Sequence, residues 1–246
     1  MSSPAQTTPA RVLDEILAHR RAVRQFAATP LPDEVVHRSV QRAMLAPSSG
    51  NMQFWEFYRV KTPAKKEVLA HLCLSQDAAL NAAELMVVVV RKDLYRQRAR
   101  RVLEETLQLA PDPQAAYLQK ARLRYGKTYP MYYFMDPLGI KGIFTRLFLR
   151  LKRLTRPGVL TGSACDLRVT AHKNVALAAQ TFMLSIAAEG YDSCPMEGFD
   201  GPRIRRFLGL PRTAEISMVI ALGKADPHAE LPPRVRLSME EVYREV

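Results

Sequence analysis

The run Leu85-Met86-Val87-Val88-Val89-Val90, bounded by Glu84 and Arg91, constrains the fold more than any other feature of this chain. Six apolar residues in succession leave no polar face, so as a strand they must be covered on both sides. They fall far short of the roughly twenty residues that a helix needs to cross a bilayer. The run is therefore expected to be a central strand of a buried sheet. Ile216 to Leu222 is a second strand of the same kind, and Trp55 to Val60, aromatic and β-branched, is a third.

Helical periodicity fills most of the remaining chain. Thr8 followed by Pro9 opens a helix in which Val12, Leu13, Ile16 and Leu17 share a face up to His19. After the turn Thr29-Pro30-Leu31-Pro32, the pair Asp33-Glu34 starts a second helix, whose buried stripe is Val35, Val36, Val40, Ala43 and Met44. Ala64 to Leu74, Asp93 to Leu109 and Gln114 to Arg124 also read as helices. Leu167 to Glu189 is a long Ala-rich helix stopped by Gly190, and Asp200 caps a short helix ending near Gly209. Helices and strands mix without βαβ alternation, and no GxGxxG or GxxxxGK[ST] follows a strand, so any nucleotide is held in another way. The fold class is α+β: a flexible tail over 1–10, then one domain over 11–246 whose Pro-rich end from about 227 forms an arm.

Composition narrows the function classes. Cys73, Cys165 and Cys194 are odd in number and unpaired in spacing, which fits a reducing, cytoplasmic setting. The five histidines are scattered and no metal site is expected. The net charge of +12 suits polyanions, nucleotides or an acidic membrane surface. No zinc finger, RRM signature or basic-leucine pattern is present, so nucleic acid is not the expected partner.

Four separated segments carry the chemistry. They are Arg20-Arg21-Ala22-Val23-Arg24-Gln25-Phe26, Ala46-Pro47-Ser48-Ser49-Gly50-Asn51-Met52-Gln53-Phe54-Trp55, Cys194-Pro195-Met196-Glu197-Gly198-Phe199-Asp200 and Pro232-Pro233-Arg234-Val235-Arg236. Taken singly they read as surface charge, a turn, a connection and a solvated tail. Together and in this order, from about Ile16 to Arg236, they resemble the FMN-dependent nitroreductase family.

The resemblance implies a mixed, mainly antiparallel sheet surrounded by helices, in an intertwined homodimer that holds FMN at the subunit interface. It implies that Arg20 with Arg234 and Arg236 holds the FMN phosphate, that Arg21 and Ala22 also lie at the cofactor, and that Arg24 lies near the pyrimidine edge of the ring. Pro47, Ser48, Ser49 and Asn51 would reach the flavin from the partner subunit. Pro195, Met196, Glu197 and Gly198 would run along the ring, with a backbone N–H of Glu197 or Gly198 directed at N5. A phosphate, a polar chain and a flat ring need cations, small polar groups and backbone amides, which these segments supply. NADH or NADPH would deliver hydride and a small-molecule acceptor, a nitroaromatic, a quinone or similar, would take it in ping-pong order. No protein side chain need be catalytic, because the cofactor carries the chemistry. Two departures stand out: Ala22 replaces a frequent Ser, and Phe54 replaces the usual Pro. The segment Leu74-Ser75-Gln76 lies where an amide often contacts the flavin, but its register is not fixed. A flavin-binding protein without turnover, attached to an anionic membrane or partner, is the alternative.

Residues of about 125–165 form an insertion with no counterpart in the resemblance. Within it Ile140, Ile143, Phe144, Leu147, Phe148, Leu151 and Leu154 share one helical face, while Lys141, Arg146, Arg150, Lys152, Arg153 and Arg156 add cations and no acid. Such a face is expected to pack onto the domain or roof the flavin pocket; the other reading is a peripheral anionic membrane contact through 140–156.

Overall fold

The computed structural model describes residues 8–134, 140–155, 157 and 163–246. Five strands, β1 (Phe26–Ala27), β2 (Trp55–Val60), β3 (Glu84–Val90), β4 (Asp192–Met196) and β5 (Glu215–Ala225), form one sheet. The order is β1-β5-β3-β2, with β4 also paired to β5, and every strand pair is antiparallel. The apolar run is indeed the central strand: Leu85 pairs with Val60 on one side and Ala221 on the other.

Its complete apolarity has a direct structural reason. Met86, Val88 and Val90 enter one core with Met218, Ile220 and Leu222, whereas Leu85, Val87 and Val89 enter a second core with Val219 and Ala221. Side chains alternate across a strand, so a strand sandwiched between two helical layers needs an apolar residue at every position.

The first layer is built from α2 (Asp33–Ala43), α5 (Tyr95–Gln108), α7 (Tyr129–Tyr133) and α9 (Ala164–Ala188), and the second from α3 (Pro63–Leu72), α4 (Asp77–Asn81) and α10 (Gly201–Phe207). Outside these lie α1 (Pro9–His19), α6 (Ala116–Leu123), α8 (Ile140–Arg153) and α11 (Met239–Val242). The caps follow the sequence: Thr8 Oγ1 accepts from the Arg11 N–H at 3.3 Å, and Ser163 and Asp166 form a reciprocal capping box on α9. Gly190, at φ +77°, ends that helix in the left-handed conformation that glycine adopts without steric cost.

Several elements differ from expectation. Of the tail over 1–10, residues 1–7 lie outside the described residues, and Pro9 and Ala10 already belong to α1. Met44 is exposed. β4 was not legible, because Pro195 and the polar Asp192-Ser193 argue against a strand; it lies at the edge of the sheet with β5 as its ladder partner, where proline is tolerated. The apolar face of α8 is not packed onto the domain, since Ile143, Phe144, Leu147, Phe148, Leu151 and Leu154 are all exposed. Among the described residues no helix is long and apolar enough to cross a membrane, and no group of three or more His, Cys, Asp and Glu could hold a metal ion.

Candidate functional site

The first and fourth segments meet at one corner of the sheet, beside the start of β4, and the third leads away from that corner along β4. The chain leaving α1 runs beside β4: Ala22 bridges Ser193, the Val23 N–H donates to the Ser193 carbonyl at 3.3 Å, and His19 lies 3.4 Å from Asp192. The C-terminal arm returns to the same place. Arg21 donates to the Pro232 carbonyl, and the Arg234 guanidinium donates to the carbonyls of Leu17, Ala18 and Arg20 at 3.1, 2.9 and 2.9 Å. These are end carbonyls of α1 that no helical N–H can satisfy, and a cation suits the negative end of the helix dipole.

Arg236 donates only to the neighbouring Val235 carbonyl, at 2.6 Å. Desolvation pushes the pKa of Arg234 below the usual arginine value, and the charges of Arg21, Arg236 and Arg20 push it the same way. Among the described residues none of Arg20, Arg21, Arg24, Arg234 and Arg236 forms an ion pair with an acid. Cations drawn from the two ends of the chain are thus held together by carbonyls and left without a counter-charge, an arrangement that accepts an anion.

The β4 end continues this corner. Pro195, Glu197 and Gly198 are exposed, while the Met196 side chain is buried in the second core, so Met196 offers a ligand only its backbone. Burial pushes the Cys194 thiol up in pKa, and the Arg24 charge pulls it the other way. Gln76 fixes the turn that follows: its amide donates to the Gly198 carbonyl at 2.6 Å and to the Cys73 carbonyl at 3.0 Å. A Cβ on Gly198 would lie 3.2 Å from that amide nitrogen. Leu74 and Ser75, at φ +59° and +52°, bend the chain so that Gln76 can reach. The Asp200 N–H also donates to the Leu72 carbonyl at 2.8 Å. The Leu74-Ser75-Gln76 segment therefore belongs to this corner through Gln76. Its signal in the sequence was a single amide without a motif.

The second segment lies elsewhere. Pro47, Ser49 and Asn51 are exposed and Ser48 is half-buried, on a tight turn in which Gly50, Asn51 and Gln53 all have positive φ. The Ser49 N–H donates to Asn174 Oδ1 at 3.2 Å, and Ser48 Oγ accepts from the Gln53 N–H at 3.1 Å. Asn174, in the middle of α9, is buried and was not singled out from the sequence; its Nδ2 has no hydrogen-bond partner among the described residues. Phe54, in place of the usual proline, is a core residue whose ring meets Tyr133 edge-on, with centroids 5.0 Å apart. The departure thus anchors the beginning of the insertion.

Strand register shows how far apart the two regions are. Trp55 pairs with Val90 and Val90 with Glu215, the first residue of β5, whereas Phe26 pairs with Ala225, its last. Ten steps of strand separate these ends, on the order of 30 Å, whereas Met196, paired with Val219, lies four steps from Glu215. The faces differ as well: Ala46, Met52 and Phe54 are buried in the first core, and Val23, Phe26, Cys194 and Met196 in the second. One chain does not bring the 46–55 loop to its own arginine corner.

Comparison with known proteins follows this geometry. The model of the nitroreductase family matches residues 17–224. The chain is 27% identical over 223 residues to an NADH dehydrogenase of Thermus thermophilus, covering 91% of this chain and 90% of that protein. It is 28% identical over 220 residues to a 4-nitrobenzoate reductase of Pseudomonas putida, covering 88% and 86%. A protein of Exiguobacterium sibiricum, solved in complex with FMN, superposes with a TM-score of 0.70 at 22% identity, covering 95% and 96% of the two chains.

Proposed function

The chain belongs to the nitroreductase family, and from that premise we propose that it is an FMN-dependent oxidoreductase whose two sites are each completed by a second copy of the chain. The observation that carries this reading is the arginine corner. Arg20, Arg21, Arg234 and Arg236 converge from opposite ends of the sequence with no acid among them, which fits a phosphate dianion. When bound, FMN supplies reversible hydride transfer, taking hydride from NADH or NADPH and giving it to a small organic acceptor, a nitroaromatic, a quinone or similar, in a ping-pong cycle.

The residues of this chain do the rest. Arg20, Arg21 and Arg236 bind the phosphate, and Arg234, occupied by the carbonyls of α1, holds the arm and Arg20 in place. Arg24 presents a fixed charge that favours the anionic, reduced ring. Pro195, Met196, Glu197 and Gly198 offer backbone along the ring. Gln76 locks the Gly198 peptide so that an N–H of this turn can stay directed at the ring. Ala22 adds close backbone but no hydroxyl.

Pro47, Ser48, Ser49 and Asn51 reach the ring of the other copy. The separation of this loop from its own arginine corner, on the opposite end and face of the sheet, supports a shared site. The apolar residues that α1 and the arm leave exposed, among them Val12, Leu13, Leu17, Val235, Leu237 and Val242, supply surface for such an interface. The test is purification followed by denaturation and anaerobic reduction. A yellow protein should release FMN, bleach with NADH or NADPH, and recover its colour on adding nitrobenzoate or a benzoquinone. A flavin that binds and never bleaches would leave a binding protein without turnover, and a chain that cannot take up FMN would refute the reading.

A further inference from the structure

Helix α8 (Ile140–Arg153) is amphipathic but turned the wrong way for a core helix. Ile143, Phe144, Leu147, Phe148, Leu151 and Leu154 recur on one face and are between 55% and 82% exposed. The more covered face carries Gly142, Thr145 and Leu149. The helix thus turns most of its large apolar side chains to solvent, over about 21 Å of length. Chains seldom leave so continuous an apolar stripe free unless something docks on it.

Charge identifies what docks. From residue 140 to 156 the sequence has six cations and no acid. The helical period sets Lys152 on one flank of the stripe and Arg150 and Arg153 on the other, and the Lys152 ammonium lies 5.9 Å from the centre of the Phe148 ring. Apolar side chains flanked on both sides by long cations suit a helix lying in the plane of a lipid surface, with the cations at headgroup level. Pairing with the same helix of a second copy fits poorly. Two such helices facing each other would set cation against cation, in a protein whose net charge is already +12.

We propose that α8 docks this protein on an anionic phospholipid surface, with Phe144, Leu147, Phe148 and Leu151 entering the acyl boundary and the lysine and arginines binding lipid phosphates. The inference does not depend on the flavin reading, because the position of the polypeptide alone reports it.

Full-length, flavin-loaded protein is sedimented with vesicles of phosphatidylcholine alone and with vesicles that also contain phosphatidylglycerol. Binding should occur only to the second kind and should weaken as salt is raised. R150Q/K152Q/R153Q should lower the partition coefficient about a hundredfold, at about fivefold per cation. F144S/F148S should abolish sedimentation while leaving FMN content and particle mass unchanged. Failure of the wild type to sediment, equal binding to both kinds of vesicle, or variants that bind like wild type would each overturn the proposal. A change of particle mass in F144S/F148S would also overturn it, by showing that a second copy covers this face.

Discussion

The arginine corner assigns different work to Arg234 and Arg236, and the two can be separated. Among the described residues the Arg236 guanidinium hydrogen-bonds only the adjacent Val235 carbonyl, so R236A removes no long-range hydrogen bond described for the fold. A hydrogen bond to a charged group contributes about 1.5–3 kcal/mol. The arm is exposed, which screens the pair toward the lower figure, so the Kd for FMN should rise about tenfold. Arg234 uses three donors on the carbonyls of Leu17, Ala18 and Arg20. R234A should therefore release the arm, lower the Tm of the apoprotein by about 2–4 °C, as loss of one modest interaction does in a chain of this size, and weaken FMN at least as much as R236A does. The assay is an FMN titration followed by quenching of flavin fluorescence, with parallel apoprotein melts. If R236A binds FMN like wild type, or if R234A leaves both Tm and affinity unchanged, the division of roles is refuted.

Three further outcomes follow from the loop and the helical layers. G50A should destabilise the protein by about 1–2 kcal/mol through its left-handed backbone, and by more if Tyr129 cannot move, because the added Cβ would lie 2.6 Å from that ring; urea denaturation measures this. F54A should cost about 3–5 kcal/mol by emptying a fully buried ring site against Tyr133, and should raise proteolysis near the 125–133 segment; an unchanged urea midpoint would contradict the packing. Glu189, hydrogen-bonded by Arg38 and Arg42 at 2.6 Å each, has its carboxyl lowered from 4.5 to about 2 by those bonds. A depressed folded-state value means stability that is present above pH 4.5 and lost as pH falls toward 2, so E189Q should flatten the dependence of urea midpoint on pH in that window; a slope equal to wild type would refute it.

What was legible in the sequence follows from how local each signal is. Leu85 to Val90 was readable as a buried strand because a doubly covered strand has no polar position, and Ile216 to Leu222 because Ser217 alone interrupts its apolar run. β4 escaped, since its pairing with β5 overrides the local preferences of Asp192, Ser193 and Pro195. The arginines were visible as clusters, but nothing local distinguishes Arg234, which caps α1, from Arg236, which does not. Gln76 and Asn174 act through contacts 122 and 125 residues away in the chain, a distance at which a lone amide carries no pattern. The packing of α8 onto its own domain does not follow from its pattern for a related reason: periodicity shows that a face exists, and only the tertiary structure shows which way it points.

Mixed dimers show whether each flavin site is built from two chains. R20A/R236A subunits and N51A/S48A subunits, each defective for FMN as homodimers, are co-expressed with different tags and the heterodimer is isolated. If the loop of one chain serves the arginine corner of the other, both lesions fall into one site and the second site is wild type, so the heterodimer should carry one FMN per dimer and turn over NADH or NADPH. If loop and arginines of the same chain met in one site, every site would carry a lesion. A heterodimer with no more flavin than its parents would contradict the account.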